Sequence, residues 1–366
     1  MSTPPKITIT DVAKAAGVAL GTVSRVLNHH PAVNEGIRQH VMATAHRLGY
    51  SRLRQRGRTA RPELRARPVR RGVVGVVIFG MEDTLVQLPV VSAALQGIER
   101  ALANEGRSLM LATIARGDRV PPFLKDSRLE GLILKGPNRG LLPDPLDNHL
   151  LRELYRHPYV WLMGRLPNAV GDHCNFDTNA AGRIAALHLR ERGHRQVAFL
   201  NPKPGQTQFE KLQTAFVREG RELGLVSTLL QSEPPSSLQW PLAAISLQEN
   251  VDRLVDVWSE LPPRQRPTAL FVPSDRTSTQ LYSALGRRGL RVGHDVSVIS
   301  CNNEKSLLVH LHPAITTIEV HAELIGRRAV DQLLWRVANR SEPTECTLLV
   351  TPTLVPGDSV ATRPGS

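Results

Sequence analysis

From Val73 onward the chain alternates short apolar runs with amphipathic stretches, and this alternation limits its fold more than any other feature of the 366 residues. The runs are VVGVVIF (73–79), LMLATI (109–114), GLILK (131–135), YVWLM (159–163), QVAFL (196–200), ALFV (269–272) and VSVIS (296–300). Between them, residues 92–105, 178–192, 207–223 and 277–288 repeat apolar side chains with a helical period. Strands that are apolar on both faces belong in parallel sheets covered by helices on each side, so the region reads as α/β. About 290 residues is more than one such sheet needs, which predicts two doubly wound parallel-sheet subdomains with a ligand cleft between them. The first is expected to span about 73–175 and 305–334, the second about 176–304 and 335–358.

Charge is spread unevenly along this chain. The formal net charge is +13, and the first 72 residues hold 14 Lys and Arg against 3 Asp and Glu, so the rest is nearly neutral. Between Ser51 and Gly72 stand nine arginines (Arg52, Arg54, Arg56, Arg58, Arg61, Arg65, Arg67, Arg70 and Arg71) with two prolines and one acid, a cationic linker. Ahead of it, residues 7–50 show short helical stretches broken by Gly and Pro and no alternation of period two. The expected organisation is therefore a helical unit at 1–50, a linker at 51–72 and a core at 73–358. The three cysteines Cys174, Cys301 and Cys346 are odd in number and far apart, with no C-x-x-C pair and no His at ligand spacing. They read as reduced core thiols of a cytoplasmic protein without metal or cofactor. No stretch approaches the ~18–20 apolar residues of a membrane helix, so no membrane partner is expected.

Residues 8–28, TITDVAKAAGVALGTVSRVLN, carry the chemistry. Thr10 is read as the N-cap of a first helix with Val12, Ala13 and Ala16 as its apolar stripe. Gly17 ends that helix, because a residue without a Cβ adopts the left-handed turn at no steric cost. A second helix is expected from about Leu20 to Asn28, with Val23, Val26 and Leu27 inward and Gly21, Thr22, Ser24 and Arg25 outward. This is helix-turn-helix spacing, in which the second helix enters the major groove. Arg25 has the donor fork that fits guanine O6 and N7, and Thr22 and Ser24 reach phosphates or base edges. Leu20 and Gly21 stand at the leading end, suited to an apolar contact or a close backbone approach. A third helix from about Glu35 to Leu48, capped by Asn34, is expected to close the small core with Ile37, Val41, Ala45 and Leu48. The bland alternative, a generic three-helix packing unit with an exposed Arg, does not account for the charge excess.

DVAKAAGV, GTVSRVLN and PAVNEGIRQHVMATAHRLGY together resemble the DNA-binding headpiece of the lactose/galactose-repressor family of bacterial transcription regulators. The resemblance continues in GRIAALHLRERGHRQVAFL (182–200), PSDRTSTQLYSALGRRGLRVGHDVSVIS (273–300) and HPAITTIEV (312–320). It implies an all-α headpiece joined to a periplasmic-binding-protein-like core, working as a homodimer that reads a pseudo-palindromic double-stranded DNA operator under the control of a small-molecule effector, with a sugar as first expectation. It also implies that Thr10, Leu20, Gly21, Thr22, Ser24, Arg25, Asn28 and Tyr50 face DNA. Ala19 departs from the family, which usually has a capping Ser there. The linker departs further: Arg52 and Leu53 replace a Pro-Asn pair, and Thr59 stands where a wedge Leu is usual. Two forms are open, a displaced hinge helix at 62–67 with Leu64 as its wedge, or an arm whose Arg52, Arg54 and Arg56 track phosphates or a narrow minor groove.

For the effector, the resemblance points to Asp275 in PSDRTS as an acceptor of sugar hydroxyls, with helix capping as its structural alternative. Arg165 in LMGR either lines the cleft or pairs with an acid at the subunit interface, and Asn302 and Asn303 divide between the cleft and a turn. The family's Arg between the strand at 196–200 and the following helix, usually three residues before a Gly-aromatic pair, is missing: Leu212 stands there, with Lys211 beside it. No G-x-S-x-G, H-E-x-x-H or P-loop is present to support an enzyme on the same scaffold. A sugar-binding protein that acts through a protein partner is the remaining alternative, and replacing Arg25 separates it from a DNA reader.

Overall fold

A computed structural model of the chain describes residues 7–27, 33–48, 72–80, 89–115, 119–234 and 250–363. The chain divides into two compact units, Met1–Val69 and Arg70–Ser366.

In the first unit, α1 (Ile9–Ala16), α2 (Leu20–Leu27) and α3 (Glu35–Arg47) surround a core of Val12, Val23, Val26 and Val41, with Ala13, Ala16 and Ala45 closing it. Gly17 ends α1 at φ 65°, and its amide turns back onto the carbonyls of Ala13 and Lys14. The cap of α1 is Thr8, not the expected Thr10, which lies exposed inside the helix. The reason is reciprocity. Thr8 Oγ1 accepts from the Asp11 amide at 3.3 Å while the Thr8 amide donates to Asp11 Oδ2 at 2.8 Å, a capping box. A cap at Thr10 would have Ala13 three residues on, which cannot return the bond. The Thr8 hydroxyl also donates to Asp11 Oδ2 at 2.6 Å, and this bond, with that from the Thr8 amide, holds the Asp11 carboxyl below its ordinary pKa. Thr8→Ala is expected to lower headpiece stability by about 1 kcal/mol, read by thermal unfolding of the headpiece within the full chain. At α2 the carbonyl of Ala19 accepts from Thr22 and Val23, so Ala19 takes the cap position without a side-chain acceptor. Ile37 is 42% exposed, so the α3 stripe begins only at Val41; the first turn of α3 lies outside the core.

The second unit follows in order: β1 (Val73–Phe79), α4 (Pro89–Asn104), β2 (Ser108–Ile114), β3 (Leu129–Lys135), α5 (His149–Leu154), β4 (Tyr159–Leu162), β5 (Asp172–Phe176), α6 (Thr178–Glu191), β6 (Gln196–Asn201), α7 (Thr207–Glu222), β7 (Val226–Gln231), α8 (Val251–Glu260), β8 (Ala269–Phe271), α9 (Asp275–Arg287), β9 (Ser297–Asn302), α10 (Lys305–Leu308), β10 (Thr316–Glu319), α11 (Ala322–Ala338), β11 (Thr347–Val350) and β12 (Thr353–Val355). Among the described residues, one sheet has the order β11-β5-β4-β3-β1-β2 and is parallel throughout. The other has the order β12-β10-β9-β8-β6-β7, parallel except for β12 against β10. Helices pack on both faces of each, as strands buried on both sides require.

Two of the expected subdomain boundaries need correction. The chain crosses from the first sheet to the second after β5, as anticipated, but it returns only after β10 and crosses once more between β11 and β12. Residues 316–319 extend the second sheet because Thr316, Thr317 and Ile318 are buried and pair with Ile299, Ser300 and Cys301 of β9. Residues 347–350 pair with β5 and so belong to the first.

Candidate nucleic-acid interface and effector cleft

With Val23 and Val26 fully buried, α2 has one orientation in its unit, and its opposite face is set by that constraint. Leu20 is 50% exposed, Gly21 and Arg25 are exposed, and Thr22 and Ser24 are half-buried beside them. A Cβ added at Gly21 would meet nothing, so the leading end of the helix is open to close approach by another molecule. An exposed guanidinium, two hydroxyls and an apolar tip on one helical face can donate to base edges and phosphates while excluding water from a thymine methyl. Asn28, Tyr50, Arg52, Arg54, Arg56 and Leu64 lie outside the described residues.

In the core, two expected effector residues are engaged elsewhere. Asp275 is fully buried: Oδ1 accepts from Ser300 Oγ at 2.5 Å and Thr317 Oγ1 at 3.1 Å, and Oδ2 accepts from the Glu304 amide at 2.6 Å. It is neither a free cleft carboxylate nor the cap of α9, which is Ser274. It ties β9, β10 and the turn at 302–304 together. Burial pushes its pKa up to about 7, against the lowering pull of these donors. Arg165 donates to the Gly171 carbonyl at 2.6 Å and to Glu345 at 2.7 Å, an ion pair within its own chain. Asn302 and Asn303 are half-buried at the end of β9 and border a recess of about 610 Å³.

The side chains that do converge come from strand ends of the first sheet and the start of α7. Lys135, 1% exposed, donates from Nζ to the Gly136 carbonyl at 2.6 Å and to Asn138 Oδ1 at 2.8 Å. The Asn138 carbonyl accepts from the Thr207 amide at 2.7 Å, which joins the two lobes at this point. A Cβ on Gly164 would lie 3.2 Å from Asn138 Oδ1 and 3.6 Å from Gln208 Cδ, so β4's exit touches the same two residues. His173 and Asn175 point from one face of β5 and are buried. Burial, with the nearby charges of Arg165, Lys211 and Lys135, lowers the pKa of His173 to about 4, so its imidazole is neutral at pH 7. His173 Nε2, Asn175 Oδ1, Gln206 Oε1 and Gln208 Oε1 are all buried with no hydrogen-bond partner. Such orphaned groups are costly in a finished core and are the groups a polar ligand satisfies. Sequence reasoning missed them, although a Lys closing the apolar run GLILK and the alternation of His and Asn in DHCNF were visible signals. Leu212, standing where the family has its Arg, is in the apolar core. Among the described residues no group of His, Cys, Asp and Glu could hold a metal ion, and no helix is long and apolar enough to cross a membrane.

Residues 8–52 match the bacterial regulatory proteins of the lacI family, and residues 186–360 match the periplasmic binding protein-like domain. The chain is 28% identical to the HTH-type transcriptional repressor PurR of Erwinia tasmaniensis over 98% of both chains, and 27% identical to that of Proteus mirabilis with the same coverage. The transcriptional regulator CelR, solved as its cellobiose complex, superposes with a TM-score of 0.62 at 23% identity over 96% of this chain and 99% of that one. The lac repressor dimer bound to operator gives 0.60 at 21% identity over 98% and 100%. A helical unit followed by two parallel-dominated sheets is the fold this chain shares with those solved structures, and its residues 8–52 carry the match to the lacI family of bacterial regulatory proteins.

Proposed function

We propose that this protein is a sequence-specific, DNA-binding transcriptional repressor, a homodimer whose operator affinity answers to a small polar effector held between the lobes of its core. The observation that carries the DNA reading is the exposed face of α2, where Leu20, Gly21 and Arg25 stand together over a buried valine pair. His173 and Asn175 of β5, with Gln206 and Gln208 at the start of α7, support a hydroxyl-rich effector, because three unfilled amide oxygens want donors and a neutral sugar brings many. This set, with Lys135 and Asn138, replaces Asp275 and Arg165 as the effector site, and Asn302 and Asn303 stay at its margin. Pairing of two copies is supported by apolar side chains on the edge strands, Leu111 of β2 and Val226 and Leu229 of β7, which are 42%, 63% and 39% exposed.

The effector reading is tested by thermal shift of the full chain against neutral sugars, sugar phosphates and purines. A neutral sugar is expected to raise the melting temperature of the wild type and not of Gln208→Ala; a purine that does so in place of sugars overturns the class. The linker's arginines are assigned to contacts with DNA phosphates on their charge alone. Replacing Arg52, Arg54, Arg56 and Arg58 by Gln is expected to reduce the slope of log K against log salt by ~0.9 for each phosphate no longer neutralised. An unchanged slope in a filter-binding titration rules these phosphate contacts out.

A further inference from the structure

At the end of β9, Asn302 and Asn303 adopt φ 112° and 56°, two successive residues in the left-handed half of backbone space. That bend carries Glu304 out of the lobe built on the second sheet and onto the other. Its Oε1 accepts from the Val90 amide, 2.9 Å away, at the start of α4. Val90 offers one of the donors that a helix leaves without an internal partner, and Pro89 ahead of it has no amide. Glu304 thus caps a 16-residue helix of the first lobe from the second, with its negative charge at the positive end of the helix dipole. Its backbone is pinned by the 2.6 Å bond to Asp275, and beside it Asn303 Nδ2 donates to Glu319 Oε2 at 2.8 Å. The other oxygen of Glu319 accepts from the His321 amide at 2.7 Å, on the crossover between lobes. The recess of about 610 Å³ bordered by Val90, Asn302, Asn303, Glu304 and Glu319 is where these groups meet.

We propose that Glu304 is a latch between the lobes, a positioning residue whose hold on Val90 passes a change at the 302–303 bend to α4. The proposal rests on the reading of the chain as a ligand-responsive regulator. α4 packs along α11, which covers the sheet whose β1 is the first strand after the linker, so a shift of α4 is delivered to the lobe that carries the headpiece. No other side chain is needed for this step: the carboxylate either reaches the helix end or does not, and lobe rotation decides which.

The test uses full-length protein with Cys346→Ser, spin-labelled at Glu99→Cys on α4 and Glu222→Cys on α7, both exposed positions. Glu304→Ala is expected to broaden or displace the distance distribution between the labels. It should also speed amide exchange in the first turn of α4 by roughly fivefold to tenfold, the factor that corresponds to removal of a helix cap. Affinity for a duplex that the wild type selects should change by a similar factor, while Glu304→Gln, which keeps the acceptor, stays within about twofold. A distance distribution in Glu304→Ala that superposes on the wild type overturns the latch, whatever happens to the melting temperature. Altered distances with unchanged duplex affinity overturn its coupling to DNA. A wild type that binds no duplex at all overturns the functional reading instead, and the label distances still decide the latch.

Discussion

Replacing Asp172 by Ala is expected to lower the unfolding free energy of the core by about 3–5 kcal/mol, the cost of leaving a buried partner charge unpaired. The carboxylate is 1% exposed and accepts four hydrogen bonds: Arg336 Nε at 2.8 Å, Arg336 Nη2 at 2.5 Å, Gln332 Nε2 at 2.8 Å and the Cys346 amide at 2.9 Å. Through it the first residue of β5 is bound to the end of α11 and to the segment that leads into β11. Arg336 also donates to the Glu342 and Thr344 carbonyls at 2.6 and 2.7 Å, so it cannot swing out to water without breaking the same loop. Removing the acid strands a guanidinium that is only 14% exposed. The double variant with Arg336→Leu should lose less than the sum of the two singles, because the orphaned charge is then gone as well. Burial raises the pKa of Asp172, but the hydrogen bonds from Arg336, Gln332 and Cys346 outweigh it and hold the carboxyl below its ordinary 3.8. The folded state therefore binds this proton less readily than the unfolded chain. Its stabilisation is present at neutral pH and is lost as pH falls through the lowered pKa. Urea unfolding at pH 7 and on the acid limb checks both points: the variant should show a lower midpoint at neutral pH and a shallower acid loss, and a change under about 1 kcal/mol contradicts the account.

Arg25→Ala is the second large effect, and it falls on function alone. The side chain is exposed and outside the small core, so the headpiece should unfold at an unchanged temperature. Binding to a selected operator should weaken by ~1–3 kcal/mol per half-site, about 5- to 150-fold, because the variant cannot make the bidentate hydrogen bonds to a base pair. Affinity for random duplex should fall far less, since one phosphate-range charge among the many of the first 72 residues is a small part of the non-specific term. Fluorescence anisotropy with matched and random duplexes separates the two. An equal loss on both would make Arg25 a phosphate ligand only, and no loss on either would remove α2 from the interface.

How much of this was legible in the sequence depended on how local the cause was. α1 to α3 could be read because caps, a left-handed Gly and a helical stripe act within a few residues. Even there Thr10 stood in for Thr8, since the choice of cap is settled by which residue three positions on can return the bond. β1, β3 and β6 announced themselves as apolar runs. β5 did not, because DHCNF alternates polar and apolar side chains, and β10 falls in the other lobe from the one expected because pairing with β9 is a property of the sheet rather than of the segment. Asp275 misleads for the same reason: an acid after a strand reads as free until the sheet brings Ser300, Thr317 and the Glu304 amide to it. Arg165 finds its partner 180 residues away, at Glu345, a distance no pattern spans.

The most direct measurement on the central claim is selection of bound sequences from a random double-stranded library by the full-length protein at moderate ionic strength. Two inverted copies of one short motif, separated by a fixed spacing and enriched over successive rounds, are the predicted result. Pools that stay random after repeated rounds, with wild type and Arg25→Ala indistinguishable, would contradict it.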